Sequence, residues 1–200
     1  MTLYDKGTEE HGAVVNRMME KYHGGLRDAG VTVGVLLAFA TTDRNGDPVG
    51  DALLLHGVPC AAIVRIVPYK LRVQELPDAE IVIDERRWEE MSPEERDALI
   101  DHELQHLELQ VSRRRKDKGQ VLRDDCGRPK LKMRKHDFEL GGFHVTVQHH
   151  GVHSIEYQAV DKLAIASNSP VKQQWIQWTE ARVPTRVGGG RRGKDAAVKD

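Results

Sequence analysis

The residue types best suited to metal chemistry stand close together in the sequence His102-Glu103-Leu104-Gln105-His106. On a helix, residues four apart lie one turn apart on the same face, so His102 and His106 could hold one metal ion. Glu103 lies at the edge of that face, where a carboxylate can take a proton from a metal-bound water without being a ligand itself. Zinc would lower the pKa of such a water to roughly 7 and polarise a peptide carbonyl. The spacing H-E-x-x-H therefore predicts zinc-dependent peptide hydrolysis with Glu103 as the catalytic residue.

The residues before this motif predict the start of a helix. Ser92 is a favourable N-cap, Pro93 suits the first helical position, and Glu95 completes a capping box with Ser92. Since no proline or glycine follows until Gly119, we expect the helix to run from Pro93 to about Lys116. The residues of this helix form two neighbouring stripes, which predicts that one side of the helix faces a core and the adjacent side faces a cleft. The apolar stripe is Ile100, Leu104, Leu107 and Val111, and the second stripe is Leu99, His102, Glu103, His106 and Gln110.

A catalytic zinc site needs a third protein ligand and an open position for water. The short spacing H-E-x-x-H-x-x-G-x-x-H is absent, because Leu109 and Ser112 occupy its last two specified positions. The third ligand must therefore come from a more distant element. Cys126, a lone cysteine on a predicted turn without a C-x-x-C partner, is a poor candidate.

The block His136-Asp137-Phe138-Glu139 is the best source of the third ligand. We expect a helix to begin at His136, directly after a hairpin that returns the chain towards the motif, and to end near residue 151. His136 is the first choice as ligand and Glu139, one turn later, is the second. Asp137 suits a carboxylate that orients an imidazole. Nothing in the spacing selects the other histidines of this region, which we expect to be exposed or capping residues: His144, His149, His150 and His153.

Composition predicts a soluble globular protein in a reducing compartment. The 200 residues are 39% hydrophobic and 30% charged, with a formal net charge of -1. The sequence has no signal-peptide pattern and no apolar run of membrane-spanning length. Two cysteines provide no disulfide framework, which favours an intracellular, cytoplasmic location.

The remaining pattern predicts an α+β fold with short strands. We expect a first helix over residues 8–29, stopped by Gly30, and a later helix over 154–166. Strands are predicted at 31–40, 60–67 and 79–84, an exposed loop at 42–50, and Trp88 beneath the motif helix. We expect one domain over residues 1–182 and a disordered, Gly-rich basic tail over residues 183–200.

A basic stretch follows the motif helix at residues 113–135, where eleven lysines and arginines face three aspartates. Residues 120–123 and 130–134 are predicted to form a hairpin with one apolar and one basic face. Such a hairpin could bind an acidic substrate or a nucleic-acid backbone. The alternative is a solvated edge strand whose charges prevent edge-to-edge association, and charge runs usually have this simpler role.

Three stretches resemble the phage metallopeptidases, a family found in phage genomes and bacterial prophages. They are residues 56–72 (HGVPCAAIVRIVPYKLR), 77–106 (PDAEIVIDERRWEEMSPEERDALIDHELQH) and 124–140 (DDCGRPKLKMRKHDFEL). The resemblance implies a single zincin-like α+β domain, in which a small twisted sheet packs on helices and a central helix carries the motif. It also implies a phage or prophage origin, and it places His136 in a matched H-D-x-x-E block. Where the family usually has E-E-F, this chain has Glu139-Leu140-Gly141, which argues against transferring a ligand role to Glu139.

The sequence thus predicts a zinc metallopeptidase that acts on a protein or peptide, with His102, His106 and His136 holding Zn2+ and Glu103 activating water. Two alternatives stay open. The first is a DNA-associated zinc protease that uses the 113–135 hairpin and the tail, with an affinity for DNA that falls steeply as salt rises. The second is a non-catalytic, zinc-stabilised binding module with four closed protein ligands. The sequence does not define the oligomeric state.

Overall fold

The computed structural model describes residues 2–137 and 142–167, with the backbone alone for 163–167. Within these ranges the α-helices are α1 (Glu9–Tyr22), α2 (Gly24–Ala29), α3 (Tyr69–Arg72), α4 (Glu85–Glu90), α5 (Pro93–Gln105), α6 (His144–His150) and α7 (Ile155–Ser167). The strands are β1 (Leu3–Lys6), β2 (Val33–Phe39), β3 (Leu54–Leu55), β4 (Val58–Pro59), β5 (Ala62–Ile66), β6 (Ala79–Asp84), β7 (Leu107–Leu109) and β8 (Leu131–Met133). The predicted α+β class is confirmed. No helix in the described ranges is long and apolar enough to cross a bilayer.

Four strands form a mixed sheet in the order β1-β2-β6-β5. Strand β2 pairs parallel with β6, and the outer strands β1 and β5 each pair antiparallel with their neighbour. The two other strand pairs, β3–β4 and β7–β8, are short antiparallel ladders. All three predicted strand regions contain an observed strand, and β6 has the predicted bounds.

Strand β6 is buried on both faces, which explains why its sequence does not alternate cleanly between apolar and polar residues. Ile81 and Ile83 face the main core, while Val82 faces a smaller cluster against Ala52 and Leu53. The main core lies between the sheet and helices α1 and α5. Ile100 and Leu104 of the predicted apolar stripe are fully buried in this core. Leu99, which was predicted for the cleft side of the helix, is also in the core.

The predicted helix over residues 8–29 is divided into α1 and α2 at His23. His23 leaves the helical region at φ -117° and ψ 42°, and its ring makes a 2.7 Å hydrogen bond with the buried carboxylate of Asp101. The two glycines that follow are the first residues of α2, and each makes a helix less stable by about 1 kcal/mol relative to alanine. Gly30 ends α2 in the left-handed conformation at φ 81°, as predicted.

The motif helix begins as predicted but is shorter. Ser92 and Glu95 form the reciprocal capping box, with Pro93 in the first turn. Helix α5 then ends at Gln105, so the prediction of a helix to Lys116 is wrong. The Leu-Glu-Leu sequence of β7 pairs with β8 instead, and long-range strand pairing outweighs the helical pattern.

The predicted hairpin between residues 120–123 and 130–134 forms only in part, where the Lys130 N–H donates to the Leu122 carbonyl at 2.8 Å. Strand β8 pairs with β7, whereas Val121 and Arg123 make only isolated bridges, to Val111 and Pro129 respectively. The connecting turn is ordered by Asp124, whose carboxylate accepts the backbone N–H groups of residues 126 and 128. The chain therefore forms successive short pairings rather than one regular hairpin.

Part of the basic stretch is used for internal contacts. Arg128 lies 2.9 Å from the buried carboxylate of Asp78 and donates to the carbonyl of Leu76 at 2.7 Å. Arg123 donates to the carbonyl of Ala29, and Lys132 pairs with Glu108 on β7. These cations attach the 121–133 segment to the body of the fold.

No helix begins at His136. Residues 134–137 are extended or irregular, α6 begins at His144, and residues 138–141 lie outside the described ranges, so the predicted helix over 136–151 is wrong at its start. The predicted helix over 154–166 corresponds to α7. The tail over 183–200 and the domain boundary before it lie outside the described residues and stay predictions.

Candidate metal centre

The two motif histidines stand one turn apart at the end of α5. His102 is in the helix, and His106 follows its last residue with helical dihedrals of φ -68° and ψ -20°. Their ring centroids are 5.2 Å apart. The shorter helix therefore preserves the spacing on which the motif depends.

His136 reaches the same place on an extended segment. Strand pairing continues one step beyond β7 and β8, where Arg134 N–H donates to the carbonyl of His106 at 2.7 Å. In return, the His106 ring donates from Nδ1 to the carbonyl of Arg134 at 2.9 Å. This exchange places Nε2 of His136 3.1 Å from Nε2 of His106. One ligand atom from each of His102, His106 and His136 lies within 4.8 Å of the others.

The donor set fits a zinc ion. Because Nδ1 of His106 carries the proton given to Arg134, the neutral ring presents a lone pair at Nε2 towards His136. Two nitrogens bound tetrahedrally to one zinc at about 2.0–2.1 Å would lie about 3.3 Å apart, close to the observed separation. Three imidazoles are a donor set that favours zinc, although other divalent metals also bind imidazole. The ligand roles of these residues stay a prediction that the geometry supports.

Glu156 on α7 orients the first motif histidine. Its Oε1 accepts a hydrogen bond from Nδ1 of His102 at 2.7 Å and another from the N–H of Phe143 at 3.0 Å. A carboxylate on the far nitrogen fixes the tautomer of a metal-binding imidazole and makes it a stronger donor. The sequence reasoning missed Glu156 and assigned this role to Asp137. The only local signal is a single acid in the first turn of α7.

Gly142 allows Glu156 to approach. It has φ 128°, and a Cβ added there would lie 2.8 Å from Oε1 of Glu156 and would overlap its Cγ. The next residue, Phe143, is fully buried, and its ring centroid lies between 4.8 and 5.3 Å from those of the three histidines. The segment thus provides an apolar wall beside the candidate ligands.

Glu103 is held by the edge of the sheet. Its Oε2 accepts the backbone N–H of Val64 on β5 at 2.8 Å. In the antiparallel pair of β5 and β6, the N–H of Val67 donates to the carbonyl of Asp78, and the carbonyl of Ala61 accepts the N–H of Asp84. Because backbone N–H groups point to opposite sides at successive residues of a strand, the N–H of Val64 points away from β6. Burial raises the pKa of the Glu103 carboxyl, and this effect outweighs the opposing influence of His102 and the Val64 N–H. A raised pKa strengthens the carboxylate as a proton acceptor.

Two of the three histidines favour the neutral form that binds metal. Burial lowers the pKa of His106 to about 4. Burial and the charge of His102 lower the pKa of His136. For His102, burial also lowers the pKa, but the hydrogen bond with Glu156 outweighs it and the pKa is raised overall. The hydrogen bond to the Glu156 carboxylate places a proton on Nδ1 of His102, so Nε2 is the nitrogen available to a metal, and metal binding must displace any proton held there.

The other predicted residues have different positions. Asp137 accepts hydrogen bonds from Arg134 and from the N–H of His144, so it does not orient an imidazole of the site. Glu139 lies outside the described residues. Cys126 lies on an exposed turn beside Tyr69. His149 and His150 are not simple exposed or capping residues, because both contact the buried carboxylate of Asp101.

Replacing Glu156 with Gln is expected to weaken zinc binding at this centre by about 10- to 100-fold, the usual effect of altering a hydrogen-bonded partner of a histidine ligand. Glutamine keeps an acceptor for His102 and Phe143 but removes the negative charge that makes the imidazole a stronger donor. The measurement is competition for zinc against a chelator of known affinity. Gln158→Ala on the same helix is the control, since Gln158 bonds Glu95 and not the site. Equal zinc affinity in Glu156→Gln and wild type would contradict the orienting role.

Comparison with known proteins identifies the family of the chain. A family model described as putative phage metallopeptidase matches residues 6–167, a range that includes all the candidate ligands, Glu103 and Glu156. No curated protein and no solved structure matches the chain at a significant level.

Proposed function

Because the chain belongs to the putative phage metallopeptidase family, we propose that it is a zinc-dependent peptidase that holds the metal through His102, His106 and His136. The observation that carries this proposal is the convergence of three imidazoles at the end of the helix that carries Glu103. The family implies a metal and a protein or peptide substrate. The choice of zinc, the ligand set and the role of Glu103 are our proposal.

A zinc ion at this site would polarise the scissile carbonyl and lower the pKa of a water to roughly 7. Glu103 then takes a proton from the attacking water and delivers it to the leaving amine. The hydrogen bond from Val64 fixes the carboxylate of Glu103, so only its other oxygen remains for proton transfer. Glu156 keeps the proton on Nδ1 of His102, and the Arg134 carbonyl does the same for His106. Each of these residues therefore has one defined task.

The position of Glu156 favours a catalytic site over a purely structural one. Structural zinc sites have four protein ligands, whereas catalytic sites have three and an open position. Glu156 contacts Nδ1 of His102, the nitrogen opposite to the one that would bind the metal, so it is placed as an orienting group and not as a fourth ligand. Within the described ranges, only three residues bring ligand atoms to this centre.

The contacts of the basic stretch lend the DNA-associated alternative little support. Arg128, Arg123 and Lys132 are engaged in contacts within the fold. The other exposed cations of this stretch are Lys130, Lys135 and a run at residues 113–118 that is interrupted by Asp117, and they do not form one continuous basic segment in the sequence. We therefore propose peptide hydrolysis without a requirement for nucleic acid.

Removal of metal tests the proposal. Treatment with a strong chelator is expected to abolish cleavage of an unfolded protein substrate such as casein, and addition of one to two equivalents of Zn2+ is expected to restore it. The reason is that neither Glu103 nor the histidines can polarise the carbonyl without the ion. Cleavage by the chelated, zinc-free protein would contradict metal dependence. Restoration by Mg2+ or Ca2+ alone, which prefer oxygen ligands, would contradict the histidine site.

A further inference from the structure

A second group of histidines surrounds Asp101, the residue before the first motif histidine. The Asp101 side chain is fully buried in α5. Its Oδ2 lies 2.6 Å from Nδ1 of His149 and 3.0 Å from Nε2 of His150. Its Oδ1 lies 2.7 Å from Nε2 of His23 and 3.3 Å from the side-chain nitrogen of Gln105. One carboxylate is thus surrounded by three imidazoles from two other parts of the chain.

The rings are held in fixed orientations. Tyr22, the last residue of α1, stacks on His149 with ring centroids 3.7 Å apart and planes 6° from parallel. Tyr22 also contacts His150 edge-on at 5.5 Å. Such packing gives the two rings a defined geometry without a bound ion, which lowers the entropic cost of forming a ligand site.

The chemistry of the group suits a transition metal. One ligand atom from each of Asp101, His149 and His150 lies within 4.8 Å of the others. Two imidazoles and a carboxylate are a donor set found in zinc and other divalent metal sites. A fully buried carboxylate of this kind requires a cation or full hydrogen bonding.

We propose that Asp101, His149 and His150 form a second zinc site, separate from the centre at His102, His106 and His136. Asp101 contributes Oδ2, His149 contributes Nδ1 and His150 contributes Nε2. His23 donates to Oδ1 of the same carboxylate and orients it, as a partner of a metal ligand typically does.

The second site would have a structural role. The Asp101 carboxylate on α5 contacts both His23 at the junction of α1 and α2 and the two histidines at the end of α6, so the site would connect these three parts of the fold. Helix α6 directly follows Phe143, so a metal there would fix the segment that covers the catalytic histidines. Gln105 connects the two centres, since it donates to Asp101 and accepts from Arg134, whose carbonyl holds His106.

The alternative is a site without metal, in which the three imidazoles each donate an N–H to Asp101. In that case the histidines satisfy the carboxylate fully and do not take up zinc. The two states differ in the number of zinc ions that each chain binds, which can be measured directly.

The experiment is titration of the chelator-treated full chain with Zn2+, with bound metal counted by native mass spectrometry. We expect two ions per wild-type chain and one per chain of the double variant H149Q/H150Q. The control H153Q changes an exposed histidine of the next turn and should bind two ions. One ion in the wild type, unchanged in H149Q/H150Q, would overturn the proposal.

A second variant tests the site even if the H149Q/H150Q chain fails to fold. His136→Ala removes a ligand of the first centre and leaves the Asp101 group intact. We expect this chain to retain one ion, with a thermal transition that rises on addition of Zn2+. A chain of His136→Ala that binds no zinc would also overturn the second site, whatever the behaviour of H149Q/H150Q.

Discussion

Replacing Glu103 with Gln is expected to lower the rate of peptide hydrolysis by about 10²- to 10⁴-fold, the usual contribution of a general base, while zinc content stays that of the wild type. Glutamine has the shape of glutamate and keeps an oxygen for the N–H of Val64, so the local structure should be preserved. It cannot accept a proton from water at neutral pH. Metal binding and catalysis should therefore separate in this variant.

The measurements are casein cleavage and zinc per chain on the same preparations. Glu108→Gln is a matched control, because Glu108 is a half-exposed carboxylate on β7 paired with Lys132. It should retain wild-type cleavage. Cleavage by Glu103→Gln within a few-fold of wild type would show that another group activates the water. Loss of zinc in this variant would indicate that Glu103 is itself a ligand of the metal.

Replacing His136 with Ala is expected to remove zinc from the catalytic centre and to abolish peptide cleavage. The substitution leaves only the two motif imidazoles, and two ligands hold a zinc ion far less tightly than three. The loss of affinity should exceed the roughly 10- to 100-fold expected when an orienting partner is removed. His136 lies on an irregular segment and is not part of the main core, so the fold should survive.

Zinc competition and cleavage assays test this expectation, with circular dichroism to verify folding. His153→Ala, an exposed histidine beyond α6, is the control and should match the wild type. A His136→Ala chain that retains both full zinc affinity and cleavage would exclude His136 as the third ligand. The ligand would then have to be sought elsewhere, with Glu139 as the next candidate.

Local sequence signals predict the start of the motif helix well. The capping box of Ser92 and Glu95 and the proline in the first turn depend only on neighbouring residues, and both form as predicted. The same is true of the end of α2 at Gly30 and of the apolar strand β6. Features of this kind need no knowledge of distant parts of the chain.

Structural features that depend on residues far apart in the sequence are predicted less well. Leu107 and Leu109 fit a helical stripe and a strand equally, and only the presence of β8 decides between them. The orienting acid Glu156 lies 54 residues from His102, and no motif connects the two positions. The helix predicted at His136 does not form, but the pairing of β7 with β8 brings His136 beside His106.

The approach of Glu156 to Gly142 has a consequence for how this sequence can change. A side chain at position 142 would occupy the space of the Glu156 carboxylate, and the acid cannot retreat without releasing His102. A shorter acid at position 156 would free that space but would no longer reach the imidazole from its present backbone position. We therefore expect positions 142 and 156 to change together during evolution, because a substitution at one requires a compensating change at the other if His102 is to keep its partner.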